Sequence, residues 1–383
     1  MYVAGIVAEF DPFHKGHEYL LRRTRELGAT HIVVAMSGDV VQRGETAVCP
    51  KHERAEMAVR HGADLVIELP APYSCSMAAF FADAAIRLLG RVGIDALAFG
   101  SETDSADLIR MAASAVDELS DSEEVRRLTT KGMTYPAALH AAAAERFGGE
   151  AAAVIASPNS TLAVEYVRAL VRNGISAEIL PVRREGAAHD STEGASGSNL
   201  RRLLAAGEDI AGFVPEGCVP RELSEPSGAD DILLYGLLTA DRDTLLRLPE
   251  VNEPLADRII KARRDPKPTL GEFLQDVKSA NFTLARIRRS ALHLALGVTR
   301  EDFIEPPYVR VLAFNDRGAE VLRRVEGVPK SVSLRELEGS SVEAAKIIAI
   351  ENRAVRLQQM CRKKRNFDNE YTRKITKTPT TEA

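Results

Sequence analysis

Apolar residues in the first half of the chain fall into short runs, each followed by a segment with helical spacing. The runs cover residues 3–8, 31–36, 63–69, 96–99 and 177–182. Runs without polar alternation are typical of parallel strands that are covered on both faces. Helical spacing is found at residues 18–27, 54–60, 76–89, 106–119 and 135–147. This alternation predicts an α/β fold in which crossover helices connect a mostly parallel sheet.

Helical spacing dominates the second half of the chain, from about residue 231 to residue 297. Proline, glycine and serine residues in the segment 216–230 predict a linker. A later apolar run, 308–314, is expected to be a strand that closes the C-terminal part onto the first domain. We therefore expect two domains, 1–205 and 206–383, with a disordered polar tail from about residue 372.

Two imidazoles lie at the start of the first predicted helix, directly behind the first strand. His14 and His17 are three residues apart, so in a first helical turn they point the same way. Unpaired backbone N–H groups and the positive end of the helix dipole are expected there, and both favour a bound anion. Gly16 would let a flat ring or a phosphate approach its backbone closely.

This pattern predicts attack on the α-phosphate of ATP with pyrophosphate as the leaving group. Two imidazole donors would hold the charge that builds up on the phosphorus oxygens. A chance occurrence of the H-x-G-H string is the alternative interpretation. The position of the string between a strand and a helix favours nucleotidyl transfer.

Composition sets the outer limits. A chain of 383 residues with 45% hydrophobic and 27% charged residues is large enough for two domains. No membrane-spanning run or signal peptide is recognisable, so we expect a cytoplasmic protein. The four cysteines, Cys49, Cys75, Cys218 and Cys361, are far apart, so neither a disulfide framework nor a metal site is predicted. A net charge of -5 requires that any RNA contact come from local basic patches.

The residues around the histidine pair resemble a known signature. Residues 8–17, AEFDPFHKGH, are similar to the E-[YF]-N-P-F-H-N-G-H motif of the bacterial tRNA(Met) cytidine acetate ligases, within the HIGH-motif nucleotidylyltransferase superfamily. Residues 36–45, 63–70 and 99–102 are similar to the next blocks of that family, in the same order. Asp11 departs from the pattern, because the family usually has asparagine there.

The resemblance implies a fold and an activity. The fold is a Rossmann-like nucleotidylyltransferase (HUP-type) parallel-sheet domain followed by a mainly helical, tRNA-binding C-terminal domain. In the implied reaction, acetate and ATP form acetyl-adenylate. The amine of the wobble cytidine (position 34) of elongator tRNA(Met) then attacks the acyl carbon to give N4-acetylcytidine.

The implied substrates are ATP, with Mg²⁺ carried on its triphosphate, acetate and elongator tRNA(Met). No membrane and no obligate protein partner is expected. Two other functions stay open: a small-molecule nucleotidylyltransferase of the same superfamily, and a non-catalytic scaffold that binds a nucleotide or RNA.

The predicted catalytic residues are His14 and His17, and the ATP site is expected at the carboxyl ends of the strands. The further predicted ATP contacts are Val7, Ala8, Glu9, Phe10, Phe13, Gly16, Leu20, Gly100, Asn159, Arg183, Arg184, Ser198 and Arg201. An N-cap role is the alternative for Asn159 and Ser198, and a solvated pair is the alternative for the two adjacent arginines.

A second substrate is expected at the loop after the second strand, which contains Ser37, Asp39, Gln42 and Arg43. Arg43 would pair with acetate or with the tRNA backbone, and the sequence does not separate these. The predicted tRNA contacts are Arg286, Arg288 and Arg289, on a helical run that begins near Phe282. The run 362–365 adds positive charge, although a solvated charged face is the usual meaning of such runs.

Overall fold

The structure, a computed structural model, describes residues 1–157, 160–183, 196–375 and 377–379. Its strands are β1 Val3–Ala8, β2 His31–Ser37, β3 Val40–Val41, β4 Glu45–Thr46, β5 Leu65–Leu69, β6 Ala96–Ser101, β7 Glu178–Arg183, β8 Val309–Phe314 and β9 Lys330–Ser331. Seven of them form one sheet in the order β7-β6-β1-β2-β5-β8-β9, while β3 and β4 form a separate antiparallel hairpin. The five apolar runs of the first half all form strands of this sheet.

Helices cover the sheet and form most of the second half. They are α1 Lys15–Glu26, α2 Lys51–Arg60, α3 Ala78–Val92, α4 Ala106–Leu119, α5 Glu123–Thr130, α6 Tyr135–Phe147, α7 Gly149–Ala156, α8 Ser160–Arg172, α9 Gly197–Ala206, α10 Asp230–Thr239, α11 Arg242–Arg247, α12 Glu253–Ala262, α13 Leu270–Val277, α14 Leu284–Leu296, α15 Asp316–Arg324, α16 Leu334–Glu338 and α17 Val342–Met360. Among the described helices, none is both long and apolar enough to cross a membrane.

The central strands are parallel and buried. β1 pairs with β2 on one side and with β6 on the other, and β2 continues to β5. Because these pairs are all parallel, the carboxyl ends of β1, β2 and β6 lie at one edge of the sheet, where ligands bind in open α/β folds. The predicted α/β fold is confirmed.

The C-terminal half returns to the sheet. β8 pairs antiparallel with β5, as expected for a strand that closes this half onto the first domain. The segment predicted as a linker also packs against the first half, since Ser224 N donates to Val48 O (2.8 Å). The domain boundary and the tail disorder stay predictions. Of the described tail residues, Thr378 N donates to Phe314 O at the end of β8 (2.9 Å).

A cluster of buried charges joins the two halves. Lys51 Nζ on α2 lies 2.6 Å from Glu68 Oε1 on β5 and 2.8 Å from Glu351 Oε1 on α17. Arg310 on β8 contacts the same Glu68 (3.1 Å) and also Glu370 (2.6 Å). All five side chains are buried. The cluster therefore ties α2 and β5 of the first half to β8, α17 and the segment after α17 in the second half.

Mutual electrostatics sets the protonation of these carboxyls. Burial, reinforced by the neighbouring Glu68, raises the pKa of Glu351 to about 8. Burial alone would also raise the pKa of Glu68, but Arg310 and Lys51 outweigh it and lower the pKa to about 2. Both oxygens of Glu351 accept hydrogen bonds, one from Lys51 Nζ (2.8 Å) and one from the backbone N–H of Ala71 (2.7 Å), and these contacts offset the repulsion between the buried acids.

Replacing Lys51 should unfold the protein at much lower denaturant concentration. Lys51→Met leaves buried carboxyls without their cation, and loss of one partner of a buried ion pair typically costs about 3–5 kcal/mol. Arg22→Met is the control, because Arg22 pairs with Glu26 on the exposed face of α1, where such pairs contribute about 1 kcal/mol or less. Urea unfolding followed by circular dichroism measures both; equal losses would contradict the assigned role.

Candidate active site

The nucleotide loop connects β1 to α1 and comprises residues 9–14. Phe10 has a positive φ of 49°, which is uncommon for a residue with a side chain. Its buried ring contacts Phe13 edge-on, with 5.0 Å between centroids, and His17, with 4.8 Å. Both phenylalanines were predicted to contact ATP. In the structure they are buried beneath the histidines and form the floor of the loop.

The two histidines cap α1 reciprocally. His14 Nδ1 accepts the backbone N–H of Gly16 (3.1 Å), and His17 Nδ1 accepts that of His14 (3.3 Å). The rings are stacked, with centroids 3.7 Å apart. Because each Nδ1 acts as an acceptor, the proton of each neutral ring sits on Nε2.

The sequence led us to expect unpaired backbone N–H groups at this helix start. In the structure, two of these groups are paired. His14 accepts the N–H of Gly16, and Lys15 N donates to Phe213 O (3.1 Å). Lys15 Nζ also donates to Gly212 O (2.7 Å). The expectation fails because a segment about 200 residues further along the chain packs across the helix end. These two amides are therefore not available to an anion, and its donors must come from side chains or other amides.

The loop after β2 meets the nucleotide loop through one arginine. Arg43 donates to Glu9 Oε2 (2.9 Å), Asp11 Oδ2 (2.8 Å) and Glu45 Oε2 (3.4 Å). Glu9 Oε1 also accepts the backbone N–H of Gln42 (2.7 Å). Burial alone would lower the pKa of Arg43, but Glu9 and Asp11 raise it above its usual value. Glu9, predicted to contact ATP, thus joins the two loops.

Asp11 lies at the junction of three segments. Its Oδ1 accepts the backbone N–H of Val48 (2.7 Å), and its Oδ2 accepts Arg43. Arg201 Nη1 on α9 donates to the backbone oxygen of Asp11 (2.7 Å). Burial, followed by repulsion from Arg43, lowers the pKa of Arg201. The structure therefore brings Arg201 to the nucleotide loop, as a phosphate-binding role would require.

A buried arginine that the sequence did not single out fixes the same strand ends. Arg54 on α2 donates to the backbone oxygens of Glu9, Ser37 (3.2 Å) and Gly38, and to Cys49 O (3.1 Å). Its spacing offered a signal, because Lys51 and Arg54 share a helix face with buried alanines at 55 and 58. Charged residues on an apolar face are unusual and need buried partners.

Two residues of the predicted second-substrate loop lie inside the protein. The Ser37 side chain is buried, and Asp39 Oδ1 accepts the backbone N–H of Lys51 (2.9 Å). Asp39 Oδ2 also lies 3.6 Å from Lys51 Nζ. These two side chains shape the base of the loop, while Gln42 and Arg43 form its tip.

The predicted ATP contacts at the strand ends are placed together. Val7 and Ala8 end β1, and Leu20 lies half-buried on α1. Gly100 lies near the end of β6, beside the end of β7 that carries Arg183. Apart from Leu20, these positions lie along the carboxyl edge of three neighbouring strands.

The remaining predicted ATP contacts are less well defined. Ser198 lies in the first turn of α9, where Ser196 is the N-cap and its hydroxyl accepts the N–H of residue 199 (3.3 Å). The serine N-cap that was the alternative interpretation of this segment is therefore present, and Ser196 rather than Ser198 holds that position. Asn159 and Arg184 lie outside the described residues.

The three arginines of α14 are held by acidic side chains and a backbone oxygen of the protein itself. Arg289 makes a two-pronged contact with Glu250 (2.6 and 2.5 Å), and Arg288 donates to Asp230 (2.7 Å). Arg286 Nε donates to the backbone oxygen of Glu250 (2.8 Å). A role of these three arginines in tRNA binding stays a prediction. Their contacts give them a structural role as well.

That role is to hold the β3–β4 hairpin against α14. Arg289 Nη1 donates to Gln42 O (3.3 Å), and Arg288 lies 3.5 Å from Glu45. Gly44 has a φ of +81°, and a Cβ at this position would lie 2.7 Å from the backbone nitrogen of Arg289. The tip of the second loop is therefore packed directly on the helical half.

Parallel strands with two stacked imidazoles at the start of α1, directly after β1, are the arrangement of a nucleotidyltransferase. The chain belongs to the HIGH Nucleotidyl Transferase family, whose model matches residues 1–373. Within it, the chain is similar to tRNA(Met) cytidine acetate ligases, which confirms the resemblance seen in the sequence.

The similarity to these ligases extends over most of the chain. This chain is 34% identical to the enzyme of Syntrophotalea carbinolica over 344 residues, and the alignment covers 84% of this chain and 82% of the relative. It is 30% identical to the enzyme of Listeria monocytogenes over 383 residues, covering 96% and 97%. The crystal structure of Thermotoga maritima TmcAL bound with alpha-thio ATP superposes with a TM-score of 0.83 at 27% identity, covering 94% and 95% of the two chains.

Gly44→Ala should destabilise the protein more than a matched substitution elsewhere. Gly93 has a similar φ of +79° and no atom within 4 Å of an added Cβ, so Gly93→Ala costs only the backbone term of about 1–2 kcal/mol. Gly44→Ala adds a clash with the α14 backbone, worth roughly 1–3 kcal/mol more. Thermal and urea unfolding measure the difference; equal losses would show that the hairpin does not rest on α14.

Proposed function

We propose that this protein acetylates the wobble cytidine, position 34, of elongator tRNA(Met), using acetate and ATP through an acetyl-adenylate. The stacked His14–His17 pair at the carboxyl end of β1 is the observation that carries the proposal. Support comes from the relatives named tRNA(Met) cytidine acetate ligase, which match most of the chain. We also propose a cytoplasmic location, because ATP and tRNA are both present there.

In the first half-reaction, an acetate oxygen attacks the α-phosphorus of ATP. The new P–O bond gives acetyl-adenylate as the bond to pyrophosphate breaks. The Nε2–H groups of His14 and His17 donate to the phosphate oxygens on which charge increases. Their Nδ1 contacts to the backbone fix the direction of both donors before ATP binds, so no reorganisation is needed during the reaction.

The adenosine and the triphosphate are proposed to lie along the carboxyl ends of β1, β6 and β7. The proposed contacts are Val7, Ala8, Glu9, Phe10, Phe13, Gly16, Leu20, Gly100, Asn159, Arg183, Arg184, Ser198 and Arg201. The Thermotoga maritima structure is bound with alpha-thio ATP, which supports a nucleotide in this fold.

Mg²⁺ is proposed to enter on the triphosphate. Within the described residues, no group of three or more histidine, cysteine or acidic side chains is arranged to hold a metal ion. Phosphate oxygens and water suit Mg²⁺, which commonly keeps part of its hydration shell. The ion would neutralise phosphate charge, while the protein's own histidines and Arg201 orient the phosphates.

Acetate is proposed to bind at Arg43. Of the three carboxylates around this guanidinium, Glu45 has the longest contact (3.4 Å). Glu45 also lies 3.5 Å from Arg288, so it can keep an ion pair with that residue if it leaves Arg43. An incoming acetate would replace Glu45 on Arg43 while Glu9 and Asp11 keep the guanidinium in place.

In the second half-reaction, the N4 amine of the cytidine attacks the acetyl carbon. A C–N bond forms, the C–O bond to AMP breaks, and the amine loses one proton. A cytosine amine is a weak nucleophile, so an activated acyl group held against it is what the reaction requires. Incubating the protein with labelled acetate, ATP and tRNA(Met), followed by nucleoside mass spectrometry, tests the whole reaction. A small-molecule transferase or a scaffold would leave the cytidine unmodified.

Replacing either histidine should abolish most adenylate formation without unfolding the protein. His14→Asn keeps an N-cap and His17→Gln keeps the capping box, but neither supplies the imidazole donor. Loss of one such donor slows chemistry by on the order of a hundredfold or more. Acetate-dependent exchange between ATP and labelled pyrophosphate measures the step, with His140→Gln on the exposed face of α6 as control. Near-normal exchange in either variant would refute the role of that histidine.

A further inference from the structure

An exposed basic turn follows α17. It comprises residues 363–367, Lys-Lys-Arg-Asn-Phe, and all five are exposed. We propose that this basic turn binds the single-stranded RNA next to the reacting cytidine, with its cations on phosphates and the Phe367 ring stacked on a base. The inference rests on the proposed function and adds the surface that recognises the RNA.

Hydrogen bonds place the basic turn beside the candidate active site. Lys363 N donates to Leu223 O (3.0 Å), and the next residue, Ser224, donates from its N to Val48 O (2.8 Å). Val48 N in turn donates to Asp11 Oδ1 (2.7 Å). Three hydrogen bonds thus connect the turn to the nucleotide loop, across the chain that follows Arg43. An RNA strand that presents a base to this site would therefore have the turn within its reach.

Both ends of the turn are held firmly. Arg362 is buried and lies 2.7 Å from Glu222 and 3.3 Å from Asp368. Glu370, three residues beyond Phe367, belongs to the buried charge cluster and contacts Arg310 (2.6 Å). The backbone of a turn fixed at both ends loses little conformational freedom when it binds, so the turn presents its side chains on a preformed backbone.

The cations of the turn are available to phosphates. Within the described residues, Lys364 makes no ion pair, and Arg365 donates only from Nε, to Met360 O (3.2 Å). Lys363 lies 3.5 Å from Glu225, with both side chains about half exposed. The α14 arginines differ, because they would first have to leave buried or partly buried carboxylates. Phosphate binding therefore favours the basic turn, where counterions are released at little cost.

The aromatic ring indicates RNA rather than another polyanion. The Phe367 side chain is 55% exposed, although a phenyl ring in water is unfavourable. Single-stranded RNA is commonly recognised by stacking unpaired bases on exposed aromatic rings that are flanked by basic residues. A wobble base lies in a loop whose neighbouring bases are unpaired, which matches this combination of ring and cations.

Removing the three cations of the turn tests the proposal. Lys363, Lys364 and Arg365 are replaced by alanine, and the matched control replaces three exposed cations on and after α5, Arg126, Arg127 and Lys131. Binding of a tRNA(Met) transcript is measured over a series of salt concentrations. The turn variant should bind at least about tenfold more weakly, with the log-log salt slope reduced by roughly 0.7–0.9 per lost contact. Acetate-dependent pyrophosphate exchange should be unchanged.

Substitutions of the ring test stacking separately from charge. Phe367→Ala and Phe367→Leu should weaken tRNA binding by roughly 5- to 100-fold, while Phe367→Tyr should bind like the wild type. Leucine controls for hydrophobic contact without a flat ring. If Phe367→Leu and Phe367→Ala bind tRNA normally, the stacking proposal is wrong.

Two outcomes distinguish failure of the basic-turn proposal from failure of the proposed function. If the wild type shows neither acetate-dependent exchange nor tRNA acetylation, the proposed function itself fails. If the wild type acetylates tRNA and the cation variant of the turn matches the α5 control in affinity and salt slope, only the basic turn is refuted. A further variant would replace Arg286, Arg288 and Arg289 by alanine. If only this variant stays folded and loses affinity for tRNA, the RNA surface lies on α14.

Discussion

The ion pairs of Lys51 hold together parts of the chain that are far apart in sequence. One ammonium group contacts Glu68 in the sheet and Glu351 on α17, and the backbone N–H of the same residue is fixed by Asp39. Since α2 also carries Arg54, which binds the ends of β1 and β2, this helix sets the geometry beneath both candidate substrate loops. The helical half is thus part of the support of the site and not only an attachment to it.

The histidine pair shows how a helix start is adapted for chemistry. A serine or aspartate would also cap α1, but neither supplies a ring N–H donor on the side opposite to the capping atom. An imidazole has two nitrogens, so one can accept a backbone N–H while the other remains a donor. His17 contacts the buried rings of Phe10 and Phe13 and stacks on His14, so the pair has few alternative orientations. The proposed catalytic role would therefore use the edge of each ring opposite to the one that caps the helix.

The sequence predicted the sheet well because its strands are local features. Unbroken apolar runs mark the five parallel strands, and the boundaries differ from the observed ones by two residues or fewer. The histidine site was also predictable, because its motif is continuous. Contacts between distant residues were not predictable: the Lys51 cluster joins side chains about 300 residues apart, and the carbonyl of Phe213 fills a position expected to be open. The helix α17 and the β3–β4 hairpin were missed for a similar reason, since tertiary packing stabilises both.

The position of β8 has a consequence for synthesis on the ribosome. Its partner, β5, is complete by residue 69, but β8 begins only at residue 309. Until then the growing chain exposes the edge of a buried, apolar strand, which is a site for unwanted strand pairing. Lys51 likewise lacks its partner Glu351 until that residue has been synthesised. A nascent chain can hold the nucleotide motif early, yet the sheet edge and the support beneath its loops are completed only when most of the protein has been made.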